Sequence, residues 1–365
     1  MSVSSYTQRN IAFRNNFGAI RYILCFAIFL SHFNVLTGSH LWFPITGYIR
    51  VCGFFVMSGF LIYGSYFRSD GCRDYLRNRA WRILPSYLLT VVLCAILLVF
   101  VSDCSPHEYF TSPQWFKYLI ANALSLNFIE PELPGVFSGH TISAVNGSLW
   151  TMKVEWLLYL FIIPVIWVTK RYHLKFWKVY LTILTLSIVY KLSFGYLYET
   201  TGRNLYHILE RQIGGQLAFF YSGVFLYMYL DRLKRIKWPV AVICAVILLV
   251  GINLFDDVKI FSHILFPMSL AGFVVAIAFI GRWGLWAEMF ENCSYEIYLF
   301  HFPAIQLAVH SRLTERFGSG ITFCALLAAV VALSYLVARY ISAPLRRSHR
   351  SHKRIANAEV MLTGS

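Results

Sequence analysis

Phe17-Gly-Ala-Ile-Arg21-Tyr-Ile-Leu-Cys-Phe-Ala-Ile-Phe-Leu-Ser-His32-Phe-Asn-Val-Leu36 is a mostly apolar run that carries an arginine and a histidine with ten residues between them. It has the length of about 20 residues that a helix needs to cross a bilayer. Eleven steps of about 100° bring a helix back to within roughly 20° of its starting direction, and a rise of about 1.5 Å per residue separates the two groups by about 16 Å along the axis. Both therefore look to one side of the helix at two depths. A charge at the bilayer centre costs about 2.5–3.5 kcal/mol on insertion scales, so an arginine aligned with a histidine there reads as a functional site. The plainer alternative is a snorkelling Arg21 near the helix end and a packing His32.

Composition agrees with a membrane chain. Of 365 residues, 58% are hydrophobic, 18% aromatic and only 13% charged. The mean hydropathy is +0.59, whereas soluble domains carry about 25% charged residues. An all-α polytopic integral membrane protein is expected. Apolar runs at roughly 17–37, 43–66, 83–102, 149–169, 176–196, 213–230, 238–254, 260–281, 293–311 and 320–343 give about ten transmembrane helices. The stretch 115–129 is short and interrupted by Lys117, Asn122 and Asn127. Counted as a crossing, it would put Lys170, Arg171, Lys175 and Lys178 outside, against the positive-inside rule. It reads instead as a re-entrant or interfacial helix within a long outer loop, 103–148. The basic clusters at 68–82, 170–178, 232–237 and 346–354 then share one side, and both termini are expected in the cytosol. Residues 1–344 are read as one transmembrane domain and 345–365 as a basic cytoplasmic tail. Met1–Asn16 is polar, with Arg9 and Arg14 and no small-residue cleavage site, so the first span is expected to be retained as the insertion signal.

The net charge of +15 would suggest a nucleic-acid partner in a soluble chain. Here it belongs to membrane flanks, facing lipid headgroups, and no nucleic acid is expected. Eight cysteines occur without a C-x-x-C and eleven histidines without an H-E-x-x-H, so no metal site is expected. Neither a phosphate-binding glycine loop nor a soluble segment large enough for a nucleotide domain is present. Any nucleotide-like cofactor must be held by the bundle and its short loops.

Three further stretches carry polar groups into apolar surroundings. Arg73-Asp-Tyr-Leu-Arg77-Asn-Arg79-Ala-Trp-Arg82-Ile-Leu-Pro85 is read as the cytoplasmic turn after the second span. Arg79 and Arg82 are three apart, on one helical face, with Arg77 nearby. Planar guanidinium groups suit phosphate, although such flanks also serve lipid headgroups alone. Ser148-Leu-Trp-Thr-Met-Lys153-Val-Glu155-Trp-Leu-Leu-Tyr159 places a carboxylate inside a span, which is costly unless it faces a polar cavity or neutralises a charge. Cys293-Ser-Tyr-Glu296-Ile-Tyr-Leu-Phe-His301-Phe-Pro303 puts a histidine in mid-span beside a proline that interrupts the helix ladder. For His301 a second catalytic role and a structural hydrogen bond both stand. Gly53-Phe-Phe-Val-Met-Ser-Gly59 is read as a close helix packing face, with no chemistry.

Taken in order, these stretches resemble the acyltransferase-3 family of membrane-bound acyltransferases, from about Asn16 to Pro344. The parts are Arg21-x10-His32, Phe54–Ile62, Arg77–Leu89, Ser148–Tyr159 and Ser294–Pro303. The resemblance implies transfer of an acyl group, acetyl from acetyl-CoA above all, from the cytosol to a hydroxyl of an extracytoplasmic glycan or lipid-linked glycan. O-antigen, capsule and exopolysaccharide are such acceptors, and the bacterial inner membrane is the implied location. It also implies His32 as the catalytic histidine, Arg21 as its partner, and Arg79 and Arg82 as a donor motif. Members commonly place Asp three residues before the arginine, where this chain has Gly18. The secreted hydrolase-like domain that some members add is also missing from the sequence.

Residues and resemblance suggest one mechanism. Arg77, Arg79 and Arg82 would hold the CoA phosphates while the pantetheine arm reaches His32. His32 would act as general base, or attack the thioester to give an acyl-imidazole. Arg21 would position the arm, and Glu155 would orient His32 or the acceptor. The loop 103–148, with Trp115, Asp103, Glu108, Glu130 and Glu132, would form the acceptor side. The alternatives are a small-molecule acceptor, a succinyl donor, or a glycan transporter, which would be expected to show internal repeats that this sequence lacks.

Overall fold

The computed structural model describes residues 15–44, 49–254, 261–290 and 292–346. In a bilayer, unpaired peptide groups have no water to turn to, so long apolar runs close their hydrogen bonds within themselves as helices. Regular structure among the described residues is accordingly all helical. The α-helices are α1 (Phe17–Thr37), α2 (Ile49–Phe67), α3 (Cys72–Leu97), α4 (Pro106–Thr111), α5 (Pro113–Ala123), α6 (Trp150–Arg171), α7 (Phe176–Thr201) and α8 (Asn204–Glu210). They continue with α9 (Ile213–Met228), α10 (Leu230–Arg235), α11 (Lys237–Leu254), α12 (Phe266–Ala278), α13 (Ser294–His310), α14 (Leu313–Phe317) and α15 (Ser319–Val337).

Among the described residues, six helical stretches are long and apolar enough to cross a membrane: Phe17–Thr37, Ile49–Phe67, Cys72–Val101, Gly147–Arg171, Phe176–Thr201 and Ser319–Arg346. The other four expected stretches hold α9, α11, α12 and α13, which are shorter, at 16, 18, 13 and 17 residues. The polar start 1–14, residues 45–48 of the expected second span and the basic tail beyond Arg346 lie outside the described residues.

Two stretches fold differently from a simple reading of their hydropathy. The arginines after α2 stand on α3 itself, because helix resumes at Cys72 and runs through Pro85. The turn is confined to 68–71, where Gly71 takes φ +115° and Asp70 N donates to Asp74 Oδ2 at 3.1 Å. The stretch 115–129 holds all but the first two residues of α5, an 11-residue helix. Such a helix is about 16 Å long, roughly half the hydrocarbon thickness. Ser112 caps α5, Pro113 opens it, and Ser125 at φ 61° turns the chain after it. Phe116, Ile120 and Leu124 are exposed on one face, while Tyr118, Ala121 and Asn122 are buried on the other.

The chain divides into two compact units. Unit 1 comprises Met1–Leu24, Ile45–Leu76 and Val154–Trp286; unit 2 comprises Cys25–Pro44, Arg77–Lys153 and Ala287–Ser365. In unit 1, α2 and α9 approach backbone to backbone. A Cβ on Gly59 would fall 1.8 Å from Phe220 O, and one on Gly223 would fall 2.1 Å from Val56 O, so only glycine fits at either contact. The start of α1 is held there as well. Asn15 Oδ1 accepts from Phe17 N at 3.1 Å, and buried Asn16 donates to Ile280 O at 2.9 Å and accepts from Gly284 N at 3.0 Å. Asn15 thereby supplies a helix-start acceptor where Gly18 offers no carboxylate, while Asn16 ties the helix start to the segment after α12. In unit 2, Phe26, Phe29 and Phe33 of α1 pack around Phe323 of α15 with ring centroids 5.6, 5.5 and 5.3 Å away.

Candidate active site

The second half of α1 and the middle of α13 meet in unit 2 through two imidazoles. His32 Nδ1 lies 2.8 Å from His301 Nε2, with the rings stacked at a centroid distance of 5.0 Å and an interplanar angle of 16°. His301 is fully buried, whereas His32 is partly exposed. The outer nitrogen of His301 fixes the protons of the pair. His301 Nδ1 is 2.7 Å from Tyr298 O, and a carbonyl only accepts, so Nδ1 carries hydrogen. In the neutral ring Nε2 is then an acceptor, and it takes the hydrogen of His32 Nδ1. The lone pair of the neutral His32 ring is then on Nε2. The order is that of a base held in one tautomer by a second group behind it, with an imidazole in place of the usual carboxylate. Phe29 and Phe302 flank the pair at 5.5 Å from His301 and 5.2 Å from His32.

The segment that opens α6 braces this part of α13. Pro303 has no N–H, so within the helix it leaves Leu299 O without its usual donor. Buried Asn146 fills the gap: its Nδ2 donates to Leu299 O at 2.9 Å. Gly147 follows because a Cβ there would lie 2.7 Å from the Phe302 ring. The Tyr298 hydroxyl donates to Ser148 O at 2.7 Å and lies 2.7 Å from Thr151 Oγ1. The carbonyl that orients His301 and the ring that flanks His32 are thus both fastened from outside α13.

Other ties connect the two ends of α13 with the expected donor and acceptor regions. Near its start, the Tyr295 hydroxyl donates to Ile83 O at 3.3 Å and Glu296 accepts from Ser86 Oγ at 2.8 Å, immediately beyond Arg82 on α3. Near its end, fully buried Gln306 donates to Ile142 O and Ala144 O at 2.6 and 2.8 Å, and its Oε1 lies 2.9 Å from His140 Nδ1. One helix therefore joins the arginine stretch, the imidazole pair and the loop 103–148 within unit 2. Arg77 and Arg82 are exposed and Arg79 is half-buried.

Arg21 and Glu155 belong to unit 1. Glu155 Oε1 accepts from Ser58 Oγ at 3.4 Å and from the Tyr159 hydroxyl. The ring that hydrogen-bonds His32 is that of His301. Lys153 stands over the Phe128 ring at 4.3 Å. Several loop residues expected to face an acceptor hold the loop itself. Trp115 Nε1 donates to Ala95 O at 2.9 Å, Glu130 pairs with Lys117 at 3.0 Å, Glu132 accepts from Ser143, and Glu108 closes a capping box with Ser105. Sequence reading missed Asn146 and Gln306, whose partners lie 153 and up to 166 residues away along the chain. Pro303 was the available signal, since its orphaned carbonyl called for a buried donor. Among the described residues no group of His, Cys, Asp and Glu is arranged to hold a metal.

Helices long and apolar enough to cross a membrane, with a hydrogen-bonded imidazole pair of which one ring is fully buried, mark an integral membrane protein. The chain belongs to the acyltransferase-3 family, whose model, described as an acyltransferase domain, matches residues 14–339. It is similar to an O-acetyl transferase of Shigella phage Sf6, at 31% identity over 180 residues, 48% of this chain and 51% of that protein. It is also similar to nodulation protein 10 of Rhizobium leguminosarum bv. viciae, at 27% identity over 160 residues, 40% of this chain and 42% of the relative. The matched parts thus span about half the length of these curated relatives or less. No solved structure matches significantly.

Proposed function

We propose that this protein moves an acyl group, acetyl from acetyl-CoA, across the bacterial inner membrane onto a hydroxyl of an extracytoplasmic glycan. The observation that carries the proposal is the His32–His301 pair, which leaves His32 Nε2 as a base in a family of acyltransferases. The O-acetyl transferase name of one relative supports an oxygen acceptor and an acetyl group. In this reading the chain crosses ten times, α9, α11, α12 and α13 included, with both ends in the cytosol.

Each step uses a residue of unit 2. Arg77, Arg79 and Arg82 bind the phosphates of acyl-CoA from the cytosolic side, where guanidinium groups offer paired donors to oxyanions. The acceptor hydroxyl arrives from the side of loop 103–148. His32 Nε2 takes its proton as the oxygen attacks the thioester carbon, and His32 Nδ1–H remains on His301 Nε2, which steadies the imidazolium. The tetrahedral adduct then collapses, the carbon–sulfur bond breaks, and His32 returns the proton to the departing CoA sulfur. One O–H and one C–S bond are exchanged for one C–O and one S–H bond.

Incubation of membranes with radiolabelled acetyl-CoA tests this reading. Label on a surface glycan is expected. Saturable uptake of an unmodified solute with no label transferred would mark a transporter instead. Within the same assay, Arg79→Ala and Arg82→Ala are expected to weaken donor binding by about 1.5–3 kcal/mol per lost charged contact and leave the acceptor KM unchanged. Unchanged donor affinity in both variants would reduce the arginines to a lipid-facing flank.

A further inference from the structure

The carboxyl of Glu296 takes part in none of these steps. It is buried to 0% exposure on α13, and only one of its oxygens is engaged: Oε1 accepts from Ser86 Oγ at 2.8 Å, while Oε2 has no hydrogen-bond partner among the described residues. The engaged oxygen is held from behind. Ser86 Oγ and Ser342 Oγ are 2.6 Å apart, and because the Ser86 hydrogen points to Glu296, Ser342 is the donor to Ser86. Ser86 is 0% and Ser342 1% exposed. Ser342 stands in the π-helical turn Ala338–Ser342 that follows α15, an irregularity often found at functional sites. A serine chain ending on a carboxyl presents it as an acceptor, and a buried acceptor without a donor costs free energy.

Position on the fold indicates which donor fits. Ser86 follows Arg82 by four residues and Arg79 by seven, so the three share one face of α3. Glu296 precedes His301 by five residues on α13, about 7.5 Å of helix rise and roughly 140° around the axis, so Glu296 meets α3 while His301 meets α1. Through Ser86, Glu296 continues the arginine-bearing face of α3, about one and a half helical turns short of His301 along α13. On the reading that acyl-CoA is the donor, we propose that Glu296 Oε2 accepts a hydrogen bond from an amide N–H of the pantetheine arm. That arm carries one hydroxyl next to its phosphate end and two secondary amides between it and the sulfur, so the amide N–H groups are the donors on the part that must reach toward the imidazole pair. Glu296 recognises the arm and takes no part in bond exchange.

The test measures binding of acetyl-CoA, and of two analogues each with one pantetheine amide replaced by an ester, to the purified full-length protein and to Glu296→Gln. Wild type is expected to bind one analogue about tenfold or more weakly than acetyl-CoA and the other nearly normally. Glu296→Gln keeps an acceptor for Ser86 but turns an N–H toward the arm. It is expected to bind acetyl-CoA about tenfold more weakly and to lose the discrimination against that analogue. Equal binding of all three ligands by wild type overturns the proposal, as does a Gln variant that keeps both affinity and discrimination. If the variant fails to fold, the wild-type analogue series decides alone. Absence of acetyl-CoA binding by wild type overturns the donor reading together with this one, whereas tight but undiscriminating binding overturns this one only.

Discussion

In the proposed mechanism His32 is the ring that meets the substrate and His301 the ring that holds it. His32→Ala is expected to lower the transfer rate by roughly 10²–10⁴-fold, the range that a lost general base commands, with the protein still inserted and accumulating. His32→Gln keeps a hydrogen bond but takes no proton at neutral pH, and should be nearly as inactive. His301 acts through His32, so its substitutions should separate by chemistry rather than by size. His301→Phe removes the acceptor for His32 Nδ1–H and is expected to lower kcat by about 10²-fold with donor KM unchanged. His301→Gln can still accept that hydrogen and donate to Tyr298 O, and should recover a measurable part of the rate. Equal kcat in the Phe and Gln variants would mean that His301 only fills space.

On the scale of single elements, α13 depends on a compensation visible in two residues. Pro303 deprives Leu299 O of its helical donor and Asn146 restores one at 2.9 Å. Asn146→Ala is therefore expected to cost about 1–3 kcal/mol, the price of an unsatisfied buried carbonyl. In a Pro303→Ala background the backbone N–H returns, and the same substitution should cost much less. Thermal unfolding in detergent of the four proteins of this double-mutant cycle measures the coupling, and additive effects would show that Asn146 does not serve the proline. The loop 103–148 offers a second element whose stability titrates. The Ser105 hydroxyl and backbone N–H hold the Glu108 carboxyl below its usual range. A group with a lowered folded pKa contributes above its unfolded value and loses its contribution as pH falls through the folded one. Protection of α4 from amide exchange should accordingly be constant near neutral pH and decline in acid. Glu108→Gln should flatten that decline, and an identical acid profile in the variant would remove the capping box from the explanation.

For the whole molecule, the ten-span arrangement requires that α5 leave the membrane on the side it entered. A membrane-impermeant maleimide applied to intact cells is expected to label a sole cysteine at Cys104, and equally a cysteine introduced at Gly139, but not one introduced at Lys234. Labelling at 104 with protection at 139 would make 115–129 a crossing and reverse the sidedness of everything after it. Six membrane-length helices and four shorter ones leave room for either count on length alone, so side-specific chemistry is the measurement that decides.

Hydrophobic periodicity and charge placement are local properties, and they sufficed to mark the helices, the glycine face of α2, the short polar-interrupted α5 and the family motifs. His32 stood out because an imidazole in an apolar run is costly wherever the chain goes, and Arg79 and Arg82 because a three-residue spacing puts two guanidinium groups on one helical face. What the residue string alone left open was which polar groups meet. His301 and His32 are 269 positions apart, and whether one orients the other or merely packs depends on two helices arriving in register. The same holds for Asn146 beneath Pro303 and for Ser86 against Glu296, each a pairing across helices remote in sequence. Hydrogen bonds reach about 3 Å, and only the packed structure brings such groups within that range.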